Sequence, residues 1–269
     1  MIDVRIQQKY RLNDIENVLF ECENVIASAV EEQDIKEERK WITFLLYTFS
    51  KSITSAREII VLCINGFPDG ALSISRNIYE QLIVSLYLNI QRCNEETDKF
   101  NDILDRYFSD EEVQRLKSLK DIAKYRAEEV SEYDEKLDEI KDKFQLTTKF
   151  RDYWWTNNII SFRDLFEYVE KHMENIRSIL IMLHAEYKRA CISLHSSMLG
   201  NRLRLGSEYQ GIDNGPWDNG FESSLFVASA SMIQIIGMLF EELRINNDEY
   251  LSKLNGLAVY YCEMLKQCN

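Results

Sequence analysis

The sequence predicts an all-α protein, a single domain over residues 1–269 folded as one bundle of about seven to nine helices. Helix breakers are scarce and clustered: of nine Gly and two Pro, five Gly and one Pro fall within residues 200–220. Elsewhere apolar residues recur at steps of three and four through long uninterrupted segments, the period of an amphipathic helix. A hydrophobic content of 45% is enough for a packed core and sets disorder aside. The expected core bundle covers residues 1–107 and 148–269, and a charged helical arm covers 108–147.

In chain order, residues 3–33 read as the first helix, with Ile6, Tyr10, Leu12, Ile15, Leu19, Cys22 and Ile26 on a wide apolar face. The acidic run EEQDIKEER ends it. A second helix over 36–65 carries Trp41, Phe44, Phe49, Ile53, Ala56 and Ile60. Gly66 and Gly70 then bracket Pro68 and Asp69, which stops one helix and starts the next with Asp69 as N-cap. The third helix, running to Ile90, is apolar around most of its circumference, as in a helix surrounded by others.

A polar stretch and a shorter helix to Tyr107 lead to residues 110–146, one long charged helix or a broken pair. Its narrow seam of Val113, Leu116, Leu119, Ala123, Leu137, Ile140 and Phe144 has coiled-coil spacing, suited to packing by one edge or to dimerisation through an arm. Trp154 and Trp155 sit side by side between helices, where they plug the bundle end or line a pocket. Ser161 with Asp164 opens the helix SFRDLFEYVEKH as a capping box. A helix over 175–198 follows, then the loop 200–220, a lid or an ordered connection carrying Arg202, Arg204 and Trp217. Two helices over 223–243 and 248–267 close the chain.

The net charge of −13 opposes general attraction to nucleic acid or to an anionic membrane. No continuous apolar run reaches the ~18 residues of a membrane span, and MIDVRIQQKY lacks a signal-peptide core. Cys22, Cys63, Cys93, Cys191, Cys262 and Cys268 have no paired spacing, so free thiols in the cytoplasm are expected.

Two helices carry polar anomalies. Ser73, Arg76, Asn77 and Glu80 share one stripe of the third helix. Arg before Glu at a separation of four is the less favoured order for an exposed pair, which leaves a surface pair and a buried network as competing readings. In NIRSILIMLHAEYKRACISLHSSM, the residues His184, Lys188, Cys191 and His195 lie along one face. They lack the short paired spacing of a zinc site, so neither metal nor cofactor is expected.

The segments GALSISRNIYEQLIVSLYL and YKRACISLHSS resemble the two signature blocks of a bacterial all-helical family of unknown function. The matching residues are Arg76, Glu80, Tyr187, Ser193 and His195, with a Trp segment between the blocks, here Trp154 or Trp155. The resemblance spans about residues 45–200 and implies that the two blocks converge. The chain also resembles HEPN ribonucleases, dimeric helical bundles of toxin and phage-defence systems that place a His shortly after an Arg. Arg189 with His195 and Arg177 with His184 both fit that spacing, although Ala190 and Ser178 follow the two arginines.

Two functions follow. In the first, a non-catalytic module binds a small ligand or a partner protein through a buried centre of Arg76, Glu80 and His195, with Tyr187, Ser193, Arg202, Arg204 and Trp217 around it. In the alternative, a metal-independent endoribonuclease uses His195 as base and Arg189 or Arg76 to steady the phosphate, with Glu80 orienting one of them. A cytoplasmic homodimer is expected under both, and RNA is a partner only under the second.

Overall fold

A computed structural model describes residues 4–33, 39–146, 150–156, 158–194, 220–246 and 248–268. The chain is an all-α helical bundle, with ten α-helices and no strand among the described residues. They are α1 (Val4–Lys9), α2 (Leu12–Glu32), α3 (Lys40–Ile64), α4 (Pro68–Asn94) and α5 (Thr97–Tyr125). Then come α6 (Ser131–Lys143), α7 (Phe162–His172), a 3₁₀ turn at Glu174–Ile176, α8 (Arg177–Leu194), α9 (Glu222–Glu242) and α10 (Asp248–Cys268).

Three boundaries set this count against the expected seven to nine: the first helix breaks, the charged segment is the broken pair of the two readings, and the short helix expected to end at Tyr107 runs on into α5. The first breaks at Arg11, held left-handed at φ 50°. The carbonyls that the break frees are met from the far end of the chain, where Tyr260 donates to the Lys9 carbonyl at 2.7 Å and Tyr261 to that of Tyr10 at 2.6 Å. The charged segment breaks at Ala127, φ 56°. There the Glu128 amide reaches the Ala123 carbonyl at 2.9 Å and that of Ala127 reaches Lys124 at 3.1 Å, a Schellman stop. The expected stop at Gly66, φ 79°, has the same form, with Phe67 bonded to Leu62 at 2.9 Å and Gly66 to Cys63 at 3.1 Å. The helix after it begins on Pro68, so Asp69 lies in the first turn and is not the N-cap.

The chain divides into two compact units, Met1–Ser85 with Met173–Asn269, and Leu86–His172. In the first, α9 is the central helix and packs against α2, α3, α8 and α10. Sixteen of its 21 residues are buried, including Ser223, Ser224, Ser229 and Ser231, whose small size lets neighbours approach. By length and composition α9 could cross a membrane, contrary to the expectation that no segment reaches that threshold. Its serines interrupt the apolar run, and 78% of its most apolar window is buried within the protein.

In the second unit α5 and α6 fold back on each other, tied by a Lys120–Asp134 ion pair. The predicted seam becomes the contact between them, where Val113, Leu116, Leu137, Phe144 and Trp154 form a core cluster. Trp154 donates to Asp110 at 2.5 Å, while Trp155 packs against Tyr87 and Tyr107 at centroid distances of 5.5 and 5.0 Å. Both indoles are buried, and Trp154 also lines a pocket with Arg106, Phe150 and Tyr153. Ser161 and Asp164 form the expected cap, the Asp164 amide donating to the Ser161 hydroxyl at 3.2 Å.

Candidate functional site

The site is built by α4 and α8. Arg76, Tyr79 and Glu80 stand three and four residues apart on α4, and His184, Tyr187 and Cys191 do the same on α8, so each set forms one stripe. Arg76 Nε donates to Glu80 Oε1 at 2.8 Å, and the Tyr187 hydroxyl donates to the same oxygen at 3.1 Å. The Arg76 guanidinium lies 5.5 Å from the centroid of the Tyr187 ring, within cation–π range. Beneath this group the Tyr79 hydroxyl meets His184 Nδ1 at 3.1 Å. The His184 ring stacks on Tyr187 at 5.7 Å, and Tyr79 lies 5.2 Å from Tyr187.

Exposure is graded across the cluster. Tyr79 is fully buried and His184 is 8% exposed, whereas the side chains of Arg76 and Glu80 are 32% and 34% exposed. The ion pair is therefore neither a free surface pair nor a buried centre, and the buried position belongs to Tyr79 and His184. Burial pushes the Tyr79 phenol well above its ordinary value. Burial, followed by the Glu80 charge, does the same for Tyr187. The hydrogen bond to Glu80 raises Arg76 against an opposing desolvation effect. At neutral pH the cluster thus presents neutral phenols and a firmly protonated guanidinium.

Of the expected site residues, Arg76, Glu80 and Tyr187 come together. Arg189 does not join them: two residues beyond Tyr187 it points about 200° round the helix and pairs with Glu186 at 3.1 Å. The side chain of Ser193, and His195, Arg202, Arg204 and Trp217 entirely, lie outside the described residues. Tyr79 was not among the expected site residues, and His184 had been singled out only for its place on the polar stripe of α8 and its spacing from Arg177. Their spacings from Arg76 and Tyr187, three in both cases, were the available signal. Among the described residues, no group of three His, Cys, Asp or Glu is placed to hold a metal ion.

A family described as one of unknown function, DUF5677, matches residues 43–212. The chain belongs to that family. The DUF5677 match takes in both signature blocks and every expected site residue except Trp217. No curated protein matches the chain, and no solved structure does.

Proposed function

We propose that this DUF5677 protein is a non-catalytic binding module that takes an anionic group of a small ligand or partner protein at Arg76. The observation that carries the reading is how its one guanidinium is used. Nε is engaged by Glu80, while the terminal nitrogens have no hydrogen-bond partner among the described residues and the side chain is 32% exposed. A planar guanidinium so held offers its remaining donors to a carboxylate or phosphate. Tyr187 supports it twice, through the ring and through the hydroxyl on Glu80.

Acid–base chemistry is poorly served by the same residues. His184 is 8% exposed and bonded to Tyr79, so it is not poised to take a proton from a bound substrate. Glu80 Oε1 already accepts from both Arg76 and Tyr187. A homodimer in the bacterial cytoplasm, acting in stress or phage defence, completes the proposal on the strength of the resemblance to defence-associated helical bundles.

The test is native mass spectrometry of wild type and Arg76→Ala, beside incubation of each with total RNA. An anionic small molecule or partner retained by wild type and lost from Arg76→Ala, with RNA left intact, is the expected result. RNA cleavage abolished by His195→Ala would overturn the binding reading in favour of the endoribonuclease.

A further inference from the structure

Two surfaces of the unit Met1–Ser85 with Met173–Asn269 expose apolar side chains beside charge of opposite sign. The first is a groove of about 440 Å³ lined by α3 and α4, with Leu62 and Ile74 in its wall and Val61, 57% exposed, at its edge. Leu62 settles against α4 because Gly70 has no side chain; a Cβ there would stand 3.4 Å from the Leu62 methyls. The rim is acidic. Glu58 is exposed and has no ion-pair partner among the described residues. The cation lining the groove, Arg57, is already shared by Glu16 at 3.0 Å and Glu23 at 2.6 Å, two carboxylates on one guanidinium.

The second surface is the outer face of α8. Ile181, Ala185, Lys188 and Ile192 recur at steps of four, three and four, with Met182 beside them, and all five are exposed, Ile181 at 50%. Ala185 lies about 200° round the helix from Tyr187, so α8 is apolar on the side turned away from Glu80 as well as on the side that packs. Arg177, Lys188 and Arg189 stand against Glu186 alone, which makes this helix basic in a chain of net charge −13. Arg189 is paired with Glu186 at 3.1 Å, whereas Lys188 has no ion-pair partner among the described residues.

Two copies of so acidic a chain repel one another, and a contact between them is favoured only where a basic surface meets an acidic one. We infer that α8 of one copy lies in the α3–α4 groove of a second copy, Lys188 pairing with Glu58 across the contact. With the two helices antiparallel, their dipoles oppose and the registers agree. Val61 stands three residues from Glu58 and Ala185 three from Lys188, so the small Ala185 falls over the exposed Val61, and Ile181 and Met182 run on towards the exposed Phe67. Every copy carries both surfaces, and two reciprocal contacts close a dimer. The inference gives a contact to the homodimer proposed above and draws nothing from Arg76.

Sedimentation velocity of the full chain at low salt tests it. A contact of this size should associate with a dissociation constant on the order of 10 µM. Lys188→Glu and Glu58→Lys, both at exposed positions that the fold tolerates, each weaken association about tenfold or more, and the double reversal restores it to within about threefold of wild type. Ile181→Asp abolishes it. A dimer indifferent to these substitutions would overturn this contact and leave the homodimer standing. A chain that stays monomeric at about 200 µM would overturn both, with the anion reading of Arg76 untouched.

Discussion

Replacing His184 and Arg76 separately by alanine should divide the α4–α8 cluster into a part that holds the fold and a part that does not. His184 is 8% exposed, hydrogen-bonded to Tyr79 at 3.1 Å and stacked on Tyr187 at 5.7 Å. Loss of the buried hydrogen bond costs about 1–3 kcal/mol, and loss of the ring contact about 0.5–1.5 kcal/mol more. His184→Ala should therefore destabilise by about 2–4 kcal/mol. Arg76 is 32% exposed, and its partner sits four residues away on the same helix, a pair worth about 0.3–0.5 kcal/mol after solvent screening. Its contact with the Tyr187 face adds roughly 0.5 kcal/mol at such a site.

Arg76→Ala should therefore cost no more than about 1 kcal/mol. Urea unfolding followed by circular dichroism at neutral pH compares the two directly. If Arg76→Ala proved as damaging as His184→Ala, the guanidinium would be a structural strut, and the claim that it is held available for a ligand would fail.

Ala127 occupies the left-handed position of a Schellman stop, φ 56°, where a Cβ costs about 1–2 kcal/mol. Ala127→Gly should stabilise the chain by about 0.5–1 kcal/mol after allowing for the freer unfolded chain, read as a higher urea midpoint; a lower midpoint would show that the turn is not the stop described. Burial raises the phenols of Tyr79, Tyr187 and Tyr261 above the ordinary 10.0, so the fold favours their neutral form. Their contribution is complete below about pH 10 and is lost as pH climbs through the raised values. Tyrosinate absorbance should show these residues ionising only as the protein unfolds in alkali, and ionisation of every tyrosine near pH 10 in a folded protein would contradict this.

The helices were legible wherever their ends were written locally. Gly66 with Pro68, and Ser161 with Asp164, carry their own chemistry in adjacent residues, and the structure uses both. Ala127 and Arg11 do not. Each adopts a left-handed conformation that the residue itself disfavours, because distant contacts outweigh the local preference. At Ala127 the return of α6 onto α5 buries Val113, Leu116, Leu137 and Phe144 together. At Arg11 the balance comes from Tyr260 and Tyr261, which lie 251 residues beyond the carbonyls they satisfy. Neither partner is visible in a window of local periodicity.

The site was legible to a similar depth. An Arg and a Glu on an apolar helix require partners from another element, and the family resemblance, not periodicity, pointed to Tyr187. What periodicity could not supply was the depth of each group. Arg76, Tyr79 and Glu80 share a stripe, but a rotation of α4 toward the core by part of a turn decides which of them is covered, and that rotation is set by packing against α8. Tyr79 takes the covered position because its ring finds both His184 and Tyr187. Arg76 is left at the edge, pinned by Nε and open at its tip. An arginine in that position combines low conformational freedom with unspent hydrogen-bonding capacity, the combination that lowers the ordering cost of binding an anion. Under the binding role proposed for Arg76, the buried Tyr79–His184 pair is the support that holds Tyr187 against the guanidinium, and stability and binding should separate along the axis from one to the other.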